Sequence, residues 1–423
     1  MANSEHLALI EQGVEVWNTW YRKHKRITPD LAQANLSNLN LRGINLKKAI
    51  LKQANLSNTD LSQAQLNNAN LEKSCLLGAS LNNTNFKGAN LDYVIFSQAT
   101  IDRQTVMSDK YRQVYEIVNC QTKNKDFSGI DLSNANLFRA DLSNAELSNA
   151  KLIDVNLNSA NLSSAYLYKA DLTGANLQDA DLRNAYFSQA NLTSAYLGGA
   201  LCCGTYFKNA DLKFANLKAA KLSHKTMIDL KWYSVWEIVN RGAVKKNLSG
   251  ADLSNANLQG VSFEEANLTN AKLSNASLRH SNLTNANLTN TNLAGANICG
   301  VDLNRANLKG AKLKSVISDR HTQLSPTSGS NNTNLMVENR PAVEPVRAEN
   351  SESLPRKEKQ LISQAKTPTE KQSKAVKNRF GILFLGILLT LIAGGYIFWT
   401  QNLDRAWSLK LKAWAGQLEQ LMP

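Results

Sequence analysis

Leucine returns at every fifth residue along most of this chain, and that spacing is incompatible with the regular elements. From Leu36 it recurs at Leu41, Leu46 and Leu51 and on to Ile101, with Phe86 and Phe96 among the substitutes. A second run goes from Phe127 to Leu222, with Phe187, Cys202 and Phe207 as variants; a third goes from Leu248 to Leu313, with Phe263 and Ile298. The runs hold 14, 20 and 14 units. On an α-helix, five steps of about 100° rotate a side chain by about 140°, so the leucines would wander over every face. On a straight strand, an odd period sends alternate leucines to opposite faces. The leucines share one interior only if the chain turns a corner once per unit.

Two residues before most leucines stands a small residue, as at Ala135, Ala140, Ala145, Ala150 and Ala160, and between the two stands Asn or Asp. The unit is therefore A-(N/D)-L-x-x. Ala and Leu point inward, Asn or Asp points out, and the last two residues make the corner. Burying one leucine contributes about 2 kcal/mol. That is less than the ordering cost of five residues, at about 1–2 kcal/mol each. Stability must come from stacking unit on unit.

This pattern resembles the pentapeptide-repeat family over residues 31–316. The resemblance implies an all-β solenoid, a right-handed quadrilateral β-helix with about four units, or about 20 residues, per coil. The runs would then make about 12 coils.

Two breaks interrupt the phase, and they are copies of each other. Residues 105–129 contain KYRQVYEIVN and residues 226–250 contain KWYSVWEIVN. Tyr111, Val114, Tyr115 and Val118 match Trp232, Val235, Trp236 and Val239, and their 3,4 spacing predicts an amphipathic helix. Such a helix packs on the solenoid side or between stacks; a binding role for the tryptophan pair is the alternative. Leu7, Ile10, Val14, Trp17 and Tyr21 share one helical face before Pro29. They predict one N-terminal helix covering a solenoid end that would otherwise be an unpaired edge.

The organisation expected is a capping helix over 1–30, solenoid blocks over 31–104, 127–225 and 248–324, and helical inserts over 105–126 and 226–247. A linker without apolar periodicity follows over 325–379. Residues 380–400, FGILFLGILLTLIAGGYIFWT, carry no charge and are long enough to span about 30 Å of hydrocarbon. Tyr396 and Trp399 suit the membrane interface. Lys366, Lys371, Lys374, Lys377 and Arg379 precede this segment, whereas Arg405, Lys410 and Lys412 follow it. That bias puts the repeats on the cytoplasmic side. The span does not choose between a plasma and an internal photosynthetic membrane, both available in the bacteria where this family abounds. Trp407, Leu411, Trp414, Leu418 and Leu421 predict an amphipathic tail over 401–423.

No catalytic, cofactor-binding or metal-binding constellation emerges. The five cysteines are scattered, without CxxC spacing, and the five histidines do not cluster. No phosphate-cradling or nucleophile-elbow motif occurs. The expectation is a protein that is not an enzyme and needs no cofactor. One surface feature stands out. If a coil has 20 residues, Tyr166, Tyr186 and Tyr206 stack in the outward slot, with Tyr168, Lys169, Arg183 and Lys208 alongside. An aromatic column flanked by cations can receive a protein partner, a sugar or an anionic group, and simple ring stacking between coils is the alternative. Asn247, Asn267, Asn287 and Asn307 would form an amide ladder.

The net charge of +14 opens two further readings. A basic rod can bind anionic lipid or nucleic acid, although the cations are scattered rather than striped. Some members of the family mimic DNA and bind DNA gyrase, but a mimic must be acidic. Residues 30–324 carry 31 Lys and Arg against 23 Asp and Glu. The function expected is a non-catalytic, membrane-tethered scaffold presenting a rigid solenoid to a protein partner.

Overall fold

Pairing between positions 20 apart organises the repeats. The structure, a computed structural model, describes residues 2–122 and 124–323. The expected linker, span and tail over 325–379, 380–400 and 401–423 lie outside the described residues. Parallel one-residue bridges join Asp30 to Ile50, Asn35 to Asn55, Asn40 to Asp60 and Asn45 to Gln65, and the register repeats along each block. Four five-residue units therefore make one coil. Among the described residues, only β1 (Leu201–Cys202) and β2 (Lys221–Leu222) extend to two residues, and they pair in parallel. The fold is a β-solenoid.

Four backbone hydrogen bonds recur along the units, one of them between corners of successive coils, as from Asp154 N–H to Thr173 O at 2.8 Å. Leu152 N–H donates to Asp171 O on the next coil at 2.7 Å, and Asp171 N–H donates back to Ala150 O at 2.9 Å. Within a unit, Ala175 N–H closes the corner on Leu172 O at 3.0 Å. The second residue after each leucine lies in the left-handed region, as at Asn134 (φ 60°) and Lys169 (φ 56°). Asn tolerates that region better than most residues, and Gly174 occupies it without strain.

The interior is a ladder of leucines and alanines that are almost wholly buried. Where threonine replaces alanine, its hydroxyl reaches the coil below, whereas the buried Ser74 hydroxyl in the same position makes no hydrogen bond. Thr59, Thr84, Thr205 and Thr291 each donate to a leucine carbonyl 23 residues back, at 2.7–2.8 Å. These buried hydroxyls are thereby satisfied.

The N-terminus departs from the single helix expected. It forms α1 (Ser4–Glu11) and α2 (Val14–Lys23), broken at Gly13, whose φ of 109° no helix accommodates. Asn3 caps α1 by accepting from Glu5 N–H and His6 N–H. α2 covers the opening coil. Trp17 Nε1 donates to Asn45 O at 2.7 Å and Tyr21 Oη donates to Lys47 O at 2.9 Å, while Asn18 binds both Gly43 O and Asn45 N–H.

Both internal breaks form helices, α3 (Asp109–Asn119) and α4 (Leu230–Arg241). Their apolar faces include Ile117 and Ile238, buried beside the valines that the 3,4 spacing indicates. Trp232 and Trp236 are buried in the same packing, which favours the structural role for that pair. Each helix lies where the next coil would run. Tyr93 N–H donates to Asn134 O at 2.8 Å and Phe214 N–H to Asn255 O at 2.8 Å, so successive blocks are hydrogen-bonded across the inserts. Among the described residues, no helix is long and apolar enough to cross a membrane.

Candidate partner-binding face

The outward slot does more than face solvent. Asp131 Oδ1 accepts from Ser133 N–H at 3.0 Å, and Asn161 Oδ1 accepts from Ser163 N–H at 3.1 Å. The slot residue thus holds the corner that follows it, which is why Asn and Asp dominate there. An apolar or aromatic residue in the slot gives up that bond and gains a surface.

Tyrosine does so three times on one face of the second block. Bridges join Glu146 to Tyr166, Tyr166 to Tyr186, and Tyr186 to Tyr206. The Tyr186 and Tyr206 rings stack at 4.7 Å with an interplanar angle of 15°. Tyr166 breaks the stack, lying 6.4 Å from Tyr186 at 44°, and stands 54% exposed. Beneath them Phe187 and Phe207 stack at 5.2 Å in the interior. The column is therefore anchored from within and half open outside. Ring stacking accounts for Tyr186 and Tyr206, and it leaves the exposed Tyr166 ring without such a role.

Met227 belongs to the same column. It bridges to Tyr206 and is 53% exposed. The spacing of 20 fails to find it because one extra residue, at the turn ending in Thr226, moves the partner of Tyr206 to position 227. Following the slot through that insertion finds it.

The flanking cations are less available than their sequence positions suggest. Arg183 Nε donates to Asp181 Oδ1 at 2.9 Å, and this bond holds the Asp181 carboxyl below its usual range. Lys208 Nζ lies 2.6 Å from Asp229 Oδ1. Lys169 sits over the Tyr168 ring at 5.1 Å, and Tyr168 Oη donates to Gln189 Oε1 at 3.4 Å. The face is an aromatic and thioether strip bordered by neutralised ion pairs. That composition suits a protein surface better than a polyanion.

The asparagine ladder forms in part. Asn267 Nδ2 donates to Asn247 Oδ1 at 3.1 Å, but Asn307 Nδ2 turns to Thr289 Oγ1, itself a donor to Asn287. Threonine two residues on competes for the amide, which pure period counting ignores. His224 and His280 are exposed at corners, whereas His6 is buried and its Nδ1 accepts from Asp30 N–H at 3.1 Å. No disulfide joins the five cysteines, all of which are among the described residues, and burial pushes the Cys202 thiol far above its ordinary value. Among the described residues, no group of His, Cys, Asp and Glu could hold a metal ion.

The family model described as "Pentapeptide repeats" matches residues 30–63, 64–102, 126–152, 145–189, 185–223, 247–285 and 281–317. Together these ranges cover more than half of the chain. Among solved structures, the chain is similar to HetL, a pentapeptide repeat protein involved in heterocyst differentiation regulation from the cyanobacterium Nostoc sp. strain PCC 7120. That match has 25% identity, covers 71% of this chain and 94% of the other, and gives a TM-score of 0.20. A second Nostoc pentapeptide repeat protein is 39% identical over 21% of this chain and 78% of its own, with a TM-score of 0.21. QnrB1, a plasmid-mediated fluoroquinolone resistance protein, is 17% identical over 47% of this chain and 93% of its own, with a TM-score of 0.19. No curated protein matches.

Proposed function

We propose that this chain, which belongs to the pentapeptide-repeat family, is a non-catalytic scaffold that receives a protein partner on the Tyr166–Tyr186–Tyr206–Met227 face. Tyr168, Arg183 and Lys208 border that face. The single observation that carries the reading is the column itself, exposed at its two ends, Tyr166 and Met227, and half-buried at Tyr186 and Tyr206 between them. On the neighbouring faces of the same block, most slots hold Asn, Asp or Lys. Large exposed aromatic and thioether side chains on a regular polar surface mark interaction sites.

The scaffold is tethered to a membrane by residues 380–400, and the repeats face the cytoplasm. The support is the sequence: an uncharged apolar segment of membrane length, preceded by more cations than follow it. The stretch over 325–379 then sets the reach of the solenoid from the bilayer and raises its local concentration there. The excess of cations over 30–324 opposes DNA mimicry, which needs a surface of phosphate-like charge.

Fractionation tests the tether. Membranes carrying the full chain are washed with alkaline carbonate, and protease is applied from each side. The expected result is retention in the pellet, with cleavage only from the cytoplasmic side. A protein released by carbonate would sink the tether and leave the face to be tested on a free solenoid.

A further inference from the structure

The turn that ends each of the first two blocks occurs a third time, at the end of the third. In the first block, Thr105 Oγ1 donates to Leu81 O at 2.9 Å, and Asp102 Oδ1 accepts from Asn83 N–H at 2.8 Å. In the third, Thr322 Oγ1 donates to Ile298 O at 3.0 Å, and Asp319 Oδ1 accepts from Gly300 N–H at 2.9 Å. Thr226 makes the corresponding bond to Cys202 O in the second block, at 2.7 Å. In each of the first two blocks this turn leads into a helix that covers the edge of the final coil.

The cover follows one recipe. Asn119 accepts from Gln98 N–H at 2.6 Å and donates to Phe96 O at 3.0 Å; Asn240 accepts from Ala219 N–H at 2.6 Å and donates to Leu217 O at 3.0 Å. Four residues earlier, an aromatic donor closes the last alanine carbonyl. Tyr115 Oη reaches Ala99 O at 3.2 Å, and Trp236 Nε1 reaches Ala220 O at 2.8 Å. The same three backbone groups at the third edge are Ser315 N–H, Leu313 O and Val316 O. Among the described residues, no helix provides an Asn or an aromatic donor to them.

Charge distinguishes this edge from the first. Lys110 of α3 pairs with Asp92 at 3.6 Å; the position of Asp92 is taken in the second block by Lys213, which Asp211 neutralises at 2.8 Å, and in the third by Lys309, where the residue two before is the uncharged Asn307. Lys312 and Lys314 follow on the same edge, and all three are exposed. A second copy of this basic end would meet lysine with lysine. The basic tail over 401–423 fits no better, with Arg405, Lys410 and Lys412 against Asp404 and Glu419. We propose that the terminal edge at 308–316 is an acceptor site for an acidic amphipathic helix of another protein. That helix carries an aromatic N–H or O–H donor four residues before an Asn, and a carboxylate where α3 has Lys110.

The probe is a helix-stapled, fluorescein-labelled peptide of residues 108–120 with Lys110→Glu, titrated by anisotropy against the full chain in detergent. Saturable binding is expected. Asn119→Ala in the peptide should weaken it about five-fold or more, the size of one or two lost hydrogen bonds. Lys309→Glu in the chain should weaken it similarly and restore preference for the unaltered Lys110 peptide. Absence of saturable binding overturns the proposal, as does binding indifferent to both substitutions. If removal of residues 401–423 is needed before the peptide binds, the chain's own tail holds the edge and the proposal fails. Self-association of the full chain abolished by Lys309→Glu would give the edge to a second copy and also overturn it.

Discussion

At the residue scale, each unit divides its labour among three positions. Leucine fills the interior, the small residue two before it lets the coil narrow, and the slot residue holds the next corner. Leu172 is wholly buried. Leu172→Ala should destabilise the chain by about 2–5 kcal/mol, because coils stacked on both sides limit collapse of the cavity; urea unfolding measures it. Two of the slot carboxylates give a pH dependence. A hydrogen bond from the Ser128 hydroxyl holds the Asp126 carboxyl below its ordinary range, and one from Ser133 N–H does the same for Asp131. A depressed folded value means that the stabilisation is present above about pH 4 and is lost as pH falls through the folded value. Asn makes the same bond without titrating, as Asn161 shows. Asp126→Asn with Asp131→Asn should therefore flatten the acid limb of stability against pH. An unchanged limb would show that these bonds contribute nothing to folding.

At the scale of elements, the interest lies where the repeat stops. A solenoid edge exposes backbone donors and acceptors that must be met. α3 and α4 meet them with side chains at the positions the next coil's backbone would use. Asn240→Ala would leave Ala219 N–H and Leu217 O without this partner, at a cost of about 1–3 kcal/mol. Amide exchange at Ala219 should accelerate while Asp171, in mid-block, stays protected; equal protection at Ala219 would contradict the edge-covering role. The coil itself is legible because period five admits only a turning chain, and both internal helices show in their 3,4 spacing. The role of Asn119 and Asn240 is not legible. Asn near a helix end reads as a terminator, and its real partners lie 21–23 residues earlier on the coil it covers. The N-terminal break is equally hidden, since the apolar face runs through Gly13 without interruption. At the candidate site, the tyrosine column follows from the 20-residue register, whereas the ion pairs that occupy Arg183 and Lys208 depend on side-chain reach that spacing does not encode.

At the scale of the whole molecule, the repeats supply a rigid surface and little chemistry, so recognition must come from the departures. On the second block four of the departures line up in one half-exposed column, from Tyr166 to Met227, and a membrane tether would hold that column near a bilayer. Site-specific photocrosslinking in native membranes tests this most directly. A benzophenone side chain is placed in turn at Tyr166 and Met227 on the column, and at Asn161 and Asp171 on the adjacent faces. The account predicts one discrete crosslinked protein from both column positions, absent from the two controls and lost when Tyr186→Lys is added to a chain that still folds. Crosslinks of equal yield from all four positions, or none from the column, would contradict it.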